Sequence, residues 1–143
     1  MHTIADLMVA VAEKLTGERG LKVIFRDPAY AKADGCFYKS SSGEPIIELK
    51  PYLRDERALF VLLHECAHVI LHPSEIDIRD VSSKPSGSMV IGEHDVIPKS
   101  ENEADRLANK WIAYAKKHAR REPGMREIEA LLWALLDLQG GEI

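Results

Sequence analysis

The chain has 143 residues, 45% of them hydrophobic and 29% charged, and a formal net charge of −4. That size and balance suit a single domain spanning residues 1–143, with enough apolar material for a core without disulfides, so any metal is expected to be catalytic rather than structural. The mildly negative charge argues against a nucleic-acid surface and no apolar run is long enough to cross a membrane. With no charged-then-apolar leader at the start, the expectation is a cytoplasmic protein without a signal peptide.

Apolar residues at Ile4, Leu7, Met8, Val11 and Leu15 have the spacing of one helical face, and Gly17 and Gly20 stop the helix. Leu21 to Phe25 reads as a strand closed by Asp27-Pro28. Gly35 to Lys39 and Pro45 to Leu49 read as two more, joined by a hairpin connection at Ser40-Ser41-Ser42-Gly43. A second helix runs from about Asp55 to His72, where Pro73 ends it. It is apolar on almost every side, which is the mark of a buried helix. Ser74 to Lys99 has no sustained periodicity and reads as a long loop, with a short strand at Ser88 to Ile91. A loop that long in a small domain suggests a functional role, here covering a cleft. A third helix is expected from Ser100 to about His118 and a fourth from Arg126 to Leu138. The basic cluster from Lys116 to Arg121 falls at the end of the third helix, where the dipole favours cations. Together these elements predict an α+β fold, with a small antiparallel sheet packed on a helical core.

The buried second helix contains His64-Glu65-Cys66-Ala67-His68, an HExxH segment. Residues four apart share a helical face, so two imidazoles can converge on one zinc ion at about 2.0–2.1 Å. Glu65 is rotated about 100° from His64, near enough to take a proton from an attacking water without being a ligand. Such a pattern also arises by chance. Two histidines and a glutamate in an apolar helix would be costly to bury unpaired, however, and a metal satisfies all three.

A catalytic zinc needs a third protein ligand. The candidates are His72, Glu93, His94, Glu101 and Glu103; His72 could equally cap the helix C-terminus. Ser100 and Glu103 have the spacing of a capping box, which gives Glu103 a local task. Glu101 and Asp105 lie at the margin of the stripe Ala104, Ala108, Trp111, Ile112 and Ala115, which should pack on the second helix. Glu101 is then the carboxylate that faces the histidines. Asp105, one turn on, is placed to accept the spare N–H of a liganding histidine. Cys66 is about 200° from His64 and is expected in the core, with Phe60, Trp111 and Trp133.

Two segments, Phe60 to His72 and Glu101 to Ala108, resemble the ImmA/IrrE family of metallopeptidases, and the likeness extends over most of residues 1–115. The Glu101-to-Asp105 spacing is also similar to gluzincins, in which the Glu ligates zinc and the Asp supports a histidine. The resemblance implies one zinc per chain held by His64, His68 and Glu101, with Glu65 as general base. Two departures stand out: Cys66-Ala67 where the family often has Leu or Ile and then Gly, and a helix continued by Trp111-Ile112-Ala113-Tyr114 where the family has a helix-ending stretch. Family members often cleave a DNA-binding repressor, so a protein substrate of that class is the implied partner. The alternative is an inactive metallopeptidase-like module that sequesters a regulator or toxin. An oxyanion donor is also required, and His94, Tyr38 and Tyr52 are candidates.

Overall fold

Helix α1 (Ile4–Thr16) starts at a reciprocal cap: Asp6 N–H donates to Thr3 Oγ1 and Thr3 N–H to the Asp6 carboxylate. It stops at Gly17, whose positive φ of 76° lets its N–H reach back to Glu13 O. Leu7, Met8, Val11 and Ala12 are the buried face. The computed structural model describes residues 3–26, 34–78 and 98–138.

Strands β1 (Lys22–Phe25), β2 (Gly35–Lys39), β3 (Pro45–Leu49) and β4 (Asp77–Ile78) form one sheet in the order β1-β3-β2-β4. The predicted hairpin is present between β2 and β3, closed by hydrogen bonds between Ser40 and Glu44 and a left-handed Gly43. The sheet is nevertheless mixed, not antiparallel as expected: β1 runs parallel to β3, and β4 parallel to β2. The reason is strand order. With β3 inserted between β1 and β2, β1 meets a strand of its own direction, and no local turn encodes that insertion. One face of the sheet, with Val23, Phe37, Ile47 and Leu49, packs on the helices. The other carries Ile24, Cys36, Tyr38 and Ile46.

Helix α2 (Asp55–Leu71) is central and packs against α1, β2, β3 and the two later helices. Its core residues Leu59, Leu62, Leu63, Cys66 and Ala67 are fully buried, as their all-round apolar surroundings predict. Gly35 shows how closely β2 lies on it: a Cβ there would meet Val61 Cγ1 at 2.5 Å. After α2, a 3₁₀ turn (Pro73–Glu75) leads into β4. Residues 79–97, including the expected strand at Ser88 to Ile91 and the candidates Glu93 and His94, lie outside the described residues.

Helix α3 (Pro98–His118) begins two residues earlier than expected. Ser100 therefore falls inside the helix rather than at its N-cap position, and Pro98 is its first residue, a position that suits proline. The stripe Ala104, Ala108, Trp111, Ile112 and Ala115 is buried, and α3 makes its most extensive contact with α2. Three alanines in that stripe let the helices approach closely. Asp105 meets His64 while Lys116 meets Glu56, so the two helices are antiparallel. Helix α4 (Glu127–Leu136) covers α1 and α3. Trp133, expected in the core, is 40% exposed on its outer side. Among the described residues no helix is long and apolar enough to cross a membrane.

Candidate metal centre

His64 and His68 are one turn apart on α2, and Glu101 comes from the first turn of α3. Their donor atoms meet. His64 Nε2 is 3.0 Å from Glu101 Oε2, His68 Nε2 is 3.1 Å from Glu101 Oε1, and the two Nε2 atoms are 3.1 Å apart. His64 Nδ1 lies 2.8 Å from Asp105 Oδ1, close though not aligned as a hydrogen bond. The rings of His64 and His68 meet edge to face, with centroids 4.6 Å apart.

These separations test whether a metal fits. Ligands at about 2.0–2.1 Å around a tetrahedral ion are about 3.3–3.4 Å from one another. The three distances here, 3.0, 3.1 and 3.1 Å, fall only slightly below that. The donor chemistry agrees. A neutral imidazole has one N–H, so two Nε2 atoms turned on each other and on a shared carboxylate leave more lone pairs than protons. A cation resolves that excess, and the residues present fit one.

Glu65 is beside the trio. Phe37 N–H donates to its carboxylate. The pairs Asp34–Lys50 and Ser40–Glu44 bond across β2 and β3, so Phe37 N–H points to the opposite edge, where Glu65 receives it. Burial is the largest influence on Glu65 and pushes its carboxyl up to about 7, against the pull of the two imidazoles and the Phe37 N–H. Burial opposes charge on His64, but Glu101, Glu65 and Asp105 outweigh it and raise the imidazole. Hydrogen bonds from His64 and His68 hold Glu101 well below the usual carboxylate range. The shifts of His64 and Glu101 follow from carboxylates crowded on two imidazoles, the charge pattern that a dication would neutralise, whereas that of Glu65 follows from burial.

The other candidates lie elsewhere. His72 caps α2 through its backbone N–H to His68 O at 2.8 Å, and its Nε2 is 3.9 Å from Glu103 Oε1, outside the trio. Tyr38 faces away from α2 and donates its hydroxyl to Glu48, while Tyr52 is fully exposed at the turn before α2. Cys66 is fully buried, and that burial raises its thiol.

Sequence reasoning missed two features. The Phe37 anchor for Glu65 is a backbone group and leaves no trace in residue identity. Glu48 is fully buried on the second face of the sheet, against Tyr38, Cys36 at 3.8 Å and Arg26 at 2.7 Å. A lone acid in the apolar run Pro45 to Leu49 was the available signal.

An α+β domain whose buried helix carries two convergent histidines, completed by a carboxylate from the neighbouring helix, defines a candidate metal-dependent protein. The family comparison narrows the class. The peptidase family M78 model, described as the IrrE N-terminal-like domain, matches residues 16–130, and the chain belongs to that family, as the sequence resemblance implied. The domain is therefore metallopeptidase-like, from a family whose members typically use zinc. No curated protein and no solved structure matches the chain significantly.

Proposed function

We propose that this protein is a zinc-dependent endopeptidase acting on a specific protein partner, of which a DNA-binding transcriptional repressor is the class the family resemblance suggests. The observation that carries the reading is the convergence of His64 Nε2, His68 Nε2 and the Glu101 carboxylate within 3.0–3.1 Å, with Glu65 alongside. His64, His68 and Glu101 are the ligands. A zinc ion held there supplies Lewis acidity, which polarises the scissile carbonyl and makes water acidic enough to be activated near neutral pH.

The chain's own residues do the rest. Asp105, 2.8 Å from His64 Nδ1, favours a proton on that nitrogen, which leaves the Nε2 lone pair for the centre. Glu65 takes the proton from the attacking water and delivers it to the leaving amine. Its anchor on Phe37 N–H fixes one carboxylate position against β2 while leaving the rest to exchange protons. Burial raises the carboxyl toward the operating pH, as suits a group that must both accept and return a proton.

The deciding experiment compares metal content and cleavage in wild type, Glu101→Ala, Glu103→Ala and Glu65→Gln. The reading expects one zinc per chain in wild type, lost in Glu101→Ala and kept in Glu103→Ala. Glu65→Gln should keep zinc but lose cleavage. A wild type that takes up no zinc after repeated addition refutes it.

A further inference from the structure

The face of α2 that carries the histidines continues toward its N-terminus through Phe60 and Arg57. Arg57 is seven residues before His64, a rotation within about 20° of the same direction and about 10 Å along the axis. Phe60 lies between them, with its ring centroid 5.8 Å from that of His64 and 5.5 Å from Arg57 Cζ. Asp34, just before β2, fixes the guanidinium: Oδ2 accepts a hydrogen bond from Nε at 2.8 Å and lies 2.8 Å from Nη2 in an ion pair.

That contact uses only one edge of the guanidinium. An arginine has five N–H donors in a planar fork, and the Nη1/Nη2 edge can hold a second carboxylate in a bidentate grip. Among the described residues nothing occupies that edge, and the side chain is 53% exposed. The acids beside it on α2 are already paired and do not repel a second anion. Asp55 is paired with Arg126 and Glu56 with Lys116, and the α2 N-terminus adds the positive end of the helix dipole. With the guanidinium already fixed by Asp34 and lying over Phe60, binding costs little further ordering.

We infer that Arg57, held by Asp34 and Phe60, is a recognition residue for an acidic side chain of the peptide substrate, about three residues to one side of the scissile bond. The spacing follows from about 10 Å along α2 divided by roughly 3.3 Å per residue of extended chain. This inference rests on the peptidase reading and adds a substrate class to it.

The test uses short internally quenched peptides in which Glu, Gln or Lys is moved one position at a time through a neutral sequence, with cleavage sites read by mass spectrometry. The zinc-loaded wild type should prefer Glu over Gln by about tenfold in kcat/KM at one position about three residues from the bond. Arg57→Gln should lose that preference and Arg57→Glu should turn it toward Lys, each with wild-type zinc content and a cooperative urea transition. In a parallel arm, fluorescence anisotropy measures binding of the same peptides to zinc-loaded Glu65→Gln, with and without Arg57→Gln. Cleavage without an acidic preference, or a preference that survives Arg57→Gln, overturns the inference. Arg57-dependent binding of Glu peptides without wild-type cleavage supports the recognition site and overturns the peptidase reading. Neither cleavage nor Arg57-dependent binding overturns the site.

Discussion

Gly35 sits where the sheet presses closely on α2, so Gly35→Ala perturbs the packing that positions Glu65. A Cβ there would meet Val61 Cγ1 at 2.5 Å, Glu48 O at 3.0 Å and Leu49 Cδ2 at 3.2 Å. Ordinary carbon contacts need about 3.5–4.0 Å, so Val61 or β2 must retreat by about 1 Å. Val61 is only 4% exposed and has little room to move. Overpacking of this kind costs about 1–3 kcal/mol, and the upper half of that range is expected because the three neighbours are two buried side chains and a strand carbonyl. Val61→Ala removes the worst contact at a cost of its own of about 2 kcal/mol. Combining the two should therefore recover at least about 1 kcal/mol relative to additivity, the signature of a shared contact. Urea denaturation of wild type, both single variants and the double variant measures all four corners. The chain should also report function: Phe37, two residues along β2, anchors Glu65, so Gly35→Ala should lower cleavage more than zinc content, and the double variant should regain part of it. A neutral Gly35→Ala, or strict additivity with Val61→Ala, would refute the packing argument.

Asp105→Asn keeps an oxygen near His64 Nδ1 but loses its charge. Zinc affinity, measured by chelator competition, should fall about tenfold, the low end for residues that orient ligands because Asp105 is half-exposed; unchanged affinity would remove Asp105 from the site. The Asp55–Arg126 pair ties the start of α2 to the start of α4, and the hydrogen bond from Arg126 holds the Asp55 carboxyl below its ordinary value of 3.8. A depressed carboxylate stabilises the fold above its unfolded-state value and loses that contribution as pH falls through its folded value. The stability gap between wild type and Asp55→Asn should therefore be present at about pH 6 and shrink below about pH 4 in urea titrations; a gap that does not change with pH would contradict the pair's role.

Elements whose signals are local are legible in the sequence. Gly35–Lys39 and Pro45–Leu49 match the expected strands to the residue, because alternation and the turn between them are contained in one short stretch. The spacing of His64 and His68, and the stripe that turns Glu101 toward them, are likewise properties of single helices. The start of α3 was misread because two local signals competed: the capping-box spacing of Ser100 and Glu103 against the first-turn Pro98. In α4 the apolar run Ala130 to Leu136 left the outward side undetermined, and the packing of α1 and α3 decided that Trp133 faces out.

What the sequence did not show depends on contacts between distant segments. The parallel pairing of β1 with β3 requires knowing that β3 lies between β1 and β2. Glu48 finds Arg26, Cys36 and Tyr38 only once the register of β2 and β3 is set. Phe37 N–H meets Glu65 only because Gly35 lets β2 lie against α2, and Arg57 meets Asp34 across the same junction. The division has a functional meaning. The residues gathered at the site come from two helical segments, His64 to His68 and Glu101 to Asp105, each about one turn long, and each leaves a readable local pattern. The Phe37 anchor of Glu65, the general base proposed above, and the recognition proposed for Arg57 are carried by the β2–α2 contact, which only the folded chain assembles. Substitutions at that contact should therefore alter catalytic efficiency and selectivity while leaving metal binding intact.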